Sequence, residues 1–187
     1  MTLTALLLTG GVSSRMGREK ATLEFGGEPL WARQIARLGE LQPREIWVSA
    51  RARPAWLPPN VEVVLDHPPS RGPLSGIAVA LDRMDSSHLL ALAVDLPRMT
   101  SEHLRKLTAM AQPGCGVIPR EQDHLEPLAA IYPKEAAALA QSTLGSDDVS
   151  LHGLARKLLQ QSLLRAYHLT PEELPLYFNV NTPRDLG

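Results

Sequence analysis

A three-layer, doubly wound α/β domain with a mostly parallel sheet is the fold that this sequence predicts, and three observations predict it. Short apolar runs bounded by turn residues alternate along the chain with stretches of helical period. Two of these runs, residues 3–8 and 88–94, are apolar on both faces, as central parallel strands covered by helices on each side must be. A chain of 187 residues can build one sizeable α/β core but has little room for a second, so a single Rossmann-like domain is expected over residues 1–187.

The elements follow in chain order. Residues 3–8, 45–50, 61–65 and 88–94 read as strands. Between the first two, residues 29–41 place Leu30, Trp31, Ile35, Leu38 and Leu41 on one helical stripe, with Pro29 suited to a first turn. Residues 74–84 and 101–111 read as further helices, with Thr100 or Ser101 as the cap of the second. Beyond Gly116, strands are expected at 116–119, 127–132 and 163–169, and helices at 133–144 and 151–161. The run Pro54 to Pro59 is proline-rich but too short to separate domains, and the chain shows neither internal repeat nor low-complexity segment.

Composition removes several function classes. With 19 basic and 20 acidic residues the formal net charge is −1, so no electrostatic footprint for a nucleic-acid backbone or an anionic membrane is present. The lone Cys115 excludes an internal disulfide and a cysteine zinc site, and fits a cytoplasmic protein. The opening apolar run lacks a basic start and a small-residue cleavage site, which favours a buried first strand over a signal peptide.

Chemistry concentrates just after the first strand. The segment Thr9-Gly10-Gly11-Val12-Ser13-Ser14-Arg15-Met16-Gly17-Arg18-Glu19-Lys20 pairs two glycines with two well-placed cations. Glycines let backbone N–H groups close around phosphate oxygens, Arg15 offers a planar fork, and Lys20 a compact charge on a long stem. The alternative is a turn whose glycines serve geometry and whose basic residues sit in water. A Walker A loop is excluded because Lys20 lies between Glu19 and Ala21, and the dinucleotide fingerprint because Gly10, Gly11 and Gly17 lack its spacing. A nicotinamide-dependent dehydrogenase, which needs that fingerprint, falls with it.

Leu8, Gly10, Gly11, Ser13, Arg15, Met16, Gly17, Glu19 and Lys20 together spell L-x-G-G-x-S-x-R-M-G-x-[DE]-K. This pattern resembles the signature of the MobA-like nucleotidyltransferases, the family that includes molybdenum cofactor guanylyltransferase. Thr9 stands where alanine is usual in that family, and Glu19 where aspartate is commoner. Three further segments carry the resemblance. Asp66 followed by Gly72-Pro73-Leu74-Ser75-Gly76 is similar to the segment that contacts the nucleoside, with Gly72 and Gly76 allowing close approach to base and ribose. Val94-Asp95-Leu96-Pro97 matches the aspartate that holds the metal. Phe178-Asn179-Val180-Asn181-Thr182-Pro183 matches the hallmark near the end of the family's chain.

From the residues alone, Asp66 could cap a turn and Asp95 a helix ahead of Thr100. An ionised aspartate buried at a strand end needs a partner, and Mg²⁺ bridging triphosphate oxygens is a suitable one. The resemblance implies GTP and the molybdopterin cofactor as substrates, with the guanine dinucleotide and pyrophosphate as products. It assigns phosphate binding to Arg15, Lys20 and the Leu8-Thr9-Gly10-Gly11 stretch, Mg²⁺ to Asp95, and nucleotide contacts to Asn179 and Asn181. It also implies transient contact with proteins that deliver molybdopterin or receive the product. Relatives that use CTP or another phosphorylated acceptor, or that bind nucleotide without catalysis, are the alternatives. Among the six histidines the resemblance singles out only His124, near Glu126-Pro127, in the segment before a family strand, as facing a second substrate, and a solvated loop residue is its plainer reading.

Overall fold

The computed structural model describes residues 1–9, 19–65, 72–146, 148–182 and 185. The first strand, β1 (Leu3–Leu8), is followed by a single 3₁₀ turn at Lys20–Thr22 and a small hairpin of β2 (Glu24–Phe25) and β3 (Glu28–Pro29). That hairpin was not anticipated from the sequence. Its turn is Gly26-Gly27, both at positive φ (63° and 79°), the backbone that a tight hairpin requires. Pro29 ends β3 and stands at the N-cap of α1 (Leu30–Gly39). Then come β4 (Glu45–Ala50), β5 (Glu62–Leu65), α2 (Pro73–Arg83), β6 (His88–Ala93) and α3 (Ser101–Met110). Thr100 caps α3 by accepting from the His103 amide at 3.2 Å, as expected.

The second half runs through β7 (Gly116–Glu121), β8 (His124–Leu125), β9 (Ala129–Pro133), α4 (Ala137–Leu144), α5 (Leu151–Gln160) and β10 (Leu164–His168). The helix expected from residue 133 splits into a 3₁₀ turn, Lys134–Ala136, and then α4. A last 3₁₀ turn, Leu174–Tyr177, was not anticipated.

The main sheet has the order β10-β7-β9-β6-β1-β4-β5, with β8 paired to β7. Pairs β6–β1, β1–β4, β4–β5 and β7–β10 are parallel, and β9 enters antiparallel between β6 and β7. Because side chains alternate along a strand, β1 serves two cores. Leu6 and Leu8 pack with α2 and, farther along the sheet, α4 and α5; Ala5 and Leu7 pack on the opposite face with α1 and α3. Every residue of β1 and of β6 is buried, which is why both read as unbroken apolar runs. The expected three-layer, doubly wound architecture with a mostly parallel sheet is what the chain adopts. Among the described residues no helix is long and apolar enough to cross a membrane.

Candidate active site

The site grows from the carboxyl ends of two adjacent central strands. β1 ends at Leu8, paired with Ala93 on one side and Ser49 on the other. The next residue, Thr9, is buried and is tied to β4 twice, its amide and its Oγ1 lying 3.3 and 2.8 Å from the Ser49 carbonyl. Beyond β6, the Val94 amide donates to the Leu8 carbonyl at 3.0 Å, so the chain that carries Asp95 leaves the sheet beside the chain that carries Thr9. This is the crevice in which doubly wound sheets bind their ligands.

Asp95 meets Lys20 here. Lys20 Nζ lies 2.8 Å from Asp95 Oδ2, and both side chains are 16% exposed. Lys20 is presented by its 3₁₀ turn, which Thr22 closes by donating from its amide and hydroxyl to the Glu19 carbonyl while Ala21 is buried beneath. A third group arrives from the far end of the chain. Lys20 Nζ donates to Asn181 Oδ1 at 3.3 Å, and the Val180 amide donates to the Asp95 carbonyl at 2.9 Å. Val180 is fully buried and works as a peg that seats Asn181 beside the pair. The Asp185 carboxylate accepts from the amides of Asn181 and Thr182 at 2.9 and 2.7 Å, and these hydrogen bonds hold it below its ordinary range. Asn179 is exposed.

Asp95 Oδ1 is buried and has no hydrogen-bond partner among the described residues. A buried carboxylate oxygen left that way costs free energy unless something fills the place. With Lys20 held on Oδ2 alone, the hard anionic Oδ1 suits a hard divalent cation such as Mg²⁺. No group of three or more His, Cys, Asp or Glu side chains able to hold a metal exists among the described residues. Asp95 does not cap α3, since Thr100 has that task.

The remaining sequence-predicted residues divide into two sets. Gly10, Gly11 and Arg15 of the expected phosphate loop, and Asp66, lie outside the described residues. Gly72 is at the N-cap of α2, with its carbonyl accepting from the Ser75 amide at 3.1 Å. Gly76, expected to let base and ribose approach, sits where α2 meets Ser49 of β4. A Cβ there would stand 2.1 Å from Ser49 Oγ and 3.3 Å from Leu8 Cδ2. The close approach that demands this glycine is that of α2 to β4.

Two supports escaped the sequence reading. Gln34 and Arg37 of α1 reach across to the loop after Asp95: Gln34 Nε2 donates to the Leu96 carbonyl at 2.7 Å and Arg37 Nη1 to that of Pro97 at 2.8 Å. Gln34 is fully buried, so a polar residue on the core stripe of a helix was the available signal. Two of the histidines stand beside acids. His124 is exposed on β8, 3.5 Å from Glu126 and with its ring 5.4 Å from that of His152, while His103 is buried against Glu173. Burial pushes the Glu126 carboxyl above its ordinary range, against the opposing pull of His124. Cys115 is half-buried with Sγ toward the Gly116 carbonyl, Trp47 is buried, and Trp31 stacks on Trp56 at 5.1 Å, all packing roles.

Comparison with known proteins agrees with this fold. The family model described as the MobA-like NTP transferase domain matches residues 5–166. A protein of Opitutus terrae named probable molybdenum cofactor guanylyltransferase is 34% identical over 98% of this chain and 92% of its own. A molybdenum cofactor guanylyltransferase of Rhizobium meliloti is 30% identical over 97% and 88%. Among solved structures, the molybdopterin-guanine dinucleotide biosynthesis protein A of Archaeoglobus fulgidus superposes with a TM-score of 0.73 at 24% identity, over 98% and 94% of the two chains, which shows a shared fold. With the model matched over most of its length and such relatives aligned nearly end to end, this chain belongs to the MobA-like NTP transferase family.

Proposed function

We propose that this protein transfers GMP from GTP to the phosphate of the molybdopterin cofactor and releases pyrophosphate. The observation that carries the reading is the meeting of Lys20, Asp95 and Asn181 at the carboxyl ends of β1 and β6. It is supported by the names of relatives that align over nearly the whole chain.

The acceptor phosphate attacks the α-phosphorus in line with the departing pyrophosphate, and the protein contributes position and charge. In the free protein Lys20 and Asp95 neutralise each other, which keeps two largely buried charges compensated until substrate arrives. The long lysine stem lets Nζ swing from Asp95 Oδ2 to the triphosphate and meet the charge that develops there. Arg15 and the amides of Gly10 and Gly11 belong to the same phosphate loop in this reading, with Asp66, Gly72 and Asn179 toward the nucleoside. Mg²⁺, when bound through Asp95, would act as a Lewis acid toward phosphate oxygens. Asn181, seated by Val180, fixes the direction of Lys20 through its amide oxygen. An acceptor phosphate is already nucleophilic at neutral pH, so no general base is needed.

The test is thermal stabilisation by GTP, CTP, ATP and UTP, each with and without Mg²⁺, since a ligand that binds the folded state raises its apparent stability. The expected result is a shift confined to GTP, enlarged by Mg²⁺ and abolished by Lys20→Ala. A preference for CTP would move the protein to a cytidylyl reaction. No shift with any nucleotide, repeated with the molybdopterin cofactor present, would sink the transferase reading.

A further inference from the structure

We propose that Glu173 and Tyr177 are positioning residues for nucleotidyl transfer, latching the strap of residues 169–182 onto α3 and β10 so that Asn181 is held against Lys20. The inference rests on the transferase reading and adds to it the device that completes the site.

The strap leaves β10 with the Leu169 amide bonded to the Arg120 carbonyl at 3.0 Å. Its first anchor is Glu173, only 12% exposed. Oε1 of Glu173 lies 2.7 Å from Lys106 Nζ and 3.4 Å from His103 Nδ1, both on α3. Oε2 accepts from the Tyr167 hydroxyl of β10 at 2.7 Å and from the Thr170 amide at 3.0 Å. Burial works to raise this carboxyl, yet the hydrogen bonds from Lys106, Thr170 and Tyr167 outweigh it and bring it down to about 2.

The second anchor is Tyr177, whose hydroxyl is 2.7 Å from His103 Nε2. Burial lowers the His103 imidazole below its ordinary value and raises the Tyr177 phenol, so at neutral pH the ring is neutral and the hydroxyl keeps its proton. Tyr177 therefore donates to Nε2, and the ring's single N–H is at Nδ1, toward Glu173. Strap, α3 and strap again are joined in one polar chain: Tyr177 to His103 to Glu173.

Geometry connects this latch to the site. Just past Tyr177, the Phe178 ring lies under the Arg98 guanidinium at 4.2 Å, the Val180 amide binds the Asp95 carbonyl, and Asn181 reaches Lys20. Arg98 and α3 belong to the same stretch of chain that follows Asp95, so the latch fastens the strap to the element that carries the carboxylate. The hydrogen bonds of Glu173 and Tyr177 run to α3, β10 and Thr170, and their effect on chemistry passes through Val180 and Asn181.

The experiment is a double-mutant cycle of Tyr177→Phe with Asn181→Ala, scored by pyrophosphate release from GTP and the molybdopterin cofactor. It is run at a temperature where circular dichroism shows every variant folded. Tyr177→Phe removes one hydroxyl and leaves a buried imidazole nitrogen unpaired. It should lower kcat roughly tenfold, with KM for GTP within about twofold, because the strap governs how often the site is assembled rather than how substrate first binds. In the Asn181→Ala background the same change should add less than about twofold, since the route it acts through is gone. Amide hydrogen exchange at Val180, measured without substrate, should accelerate in Tyr177→Phe and in Glu173→Gln. Glu173→Gln keeps the side-chain shape and replaces Tyr177→Phe in the cycle if that variant does not fold. A kcat within twofold of the unmodified protein, an undiminished loss in the Asn181→Ala background, or unchanged exchange at Val180 would each overturn the proposal. An unmodified protein that releases no pyrophosphate would instead defeat the transferase reading, and the exchange measurement would still decide the latch.

Discussion

Replacing Gly76 by alanine separates two explanations of the same glycine. If it exists to admit the nucleotide, Gly76→Ala should weaken nucleotide binding and leave the fold alone. The packing indicates the reverse. The new methyl carbon would sit 2.1 Å from Ser49 Oγ, 2.8 Å from Ser49 Cβ and 3.3 Å from Leu8 Cδ2. Ordinary carbon contacts begin near about 3.5 Å, so even with the Ser49 hydroxyl rotated aside roughly 0.7 Å must be found at its Cβ by moving α2 off β4 or bending β4. Neither element yields cheaply, because Ser49 is 4% exposed and pairs within the sheet to Leu8 and Val64. Overpacking of this kind costs about 1–3 kcal/mol, and a clash against a strand belongs at the upper end. For a chain of this length each kcal/mol moves the melting midpoint by about 2–4 °C, giving a drop on the order of 6–12 °C. The assay is thermal unfolding without ligand, beside the KM for GTP well below the midpoint. Adding Ser49→Gly, which removes the obstructing side chain, should recover at least half of the loss. A midpoint within about 2 °C of the unmodified protein together with a tenfold rise in KM would refute the packing argument.

Two further outcomes follow from the same coordinates. Asp95→Asn keeps the shape beside Lys20 but removes the charge from the orphaned Oδ1, so the extra stabilisation that Mg²⁺ adds to GTP should vanish and transfer should fall by at least about 10²-fold. An Mg²⁺ increment equal to that of the unmodified protein would disprove the metal assignment. Glu126→Gln tests the half-buried carboxyl near His124. A folded-state pKa raised above the ordinary value, chiefly by burial, means the protonated form stabilises the fold at low pH and that benefit is lost as pH rises through the raised pKa. The glutamine variant should therefore gain melting temperature over the unmodified protein at pH 8 and none at pH 4, and an equal difference at both pH values would contradict this.

Legibility in the sequence followed the range of the interaction. β1 and β6, buried on both faces, were plain as apolar runs, and Thr100 announced the start of α3 through its own hydroxyl. Lys20, Asp95 and Asn181 were named through family-like motifs, and the fold brings them together. The β2–β3 hairpin was signalled only by Gly26-Gly27, since strands of two residues are too short to show alternation. Gln34 was hidden within the periodic pattern of α1, since nothing local showed that its side chain reaches the Leu96 carbonyl. The pairing of His103 with Glu173 had no local signal at all, because it depends on where the strap crosses α3. Gly76 could be recognised as a site of close approach, but which body approaches is a matter of tertiary packing.

The contact between Lys20 and Asn181 spans 161 residues, and it has a bearing on how the protein is made. Translation delivers the lysine early and the asparagine only after every strand of the sheet has been synthesised. A domain folds as a unit, so until residues 169–182 have been made and are free to dock, the chain is at most partly assembled. At that stage Asp95 has neither the Val180 amide nor the asparagine beside it, and the site is unfinished. The site is therefore among the last features of the fold to be completed: a chain cut after β10 would lack both Val180 and Asn181.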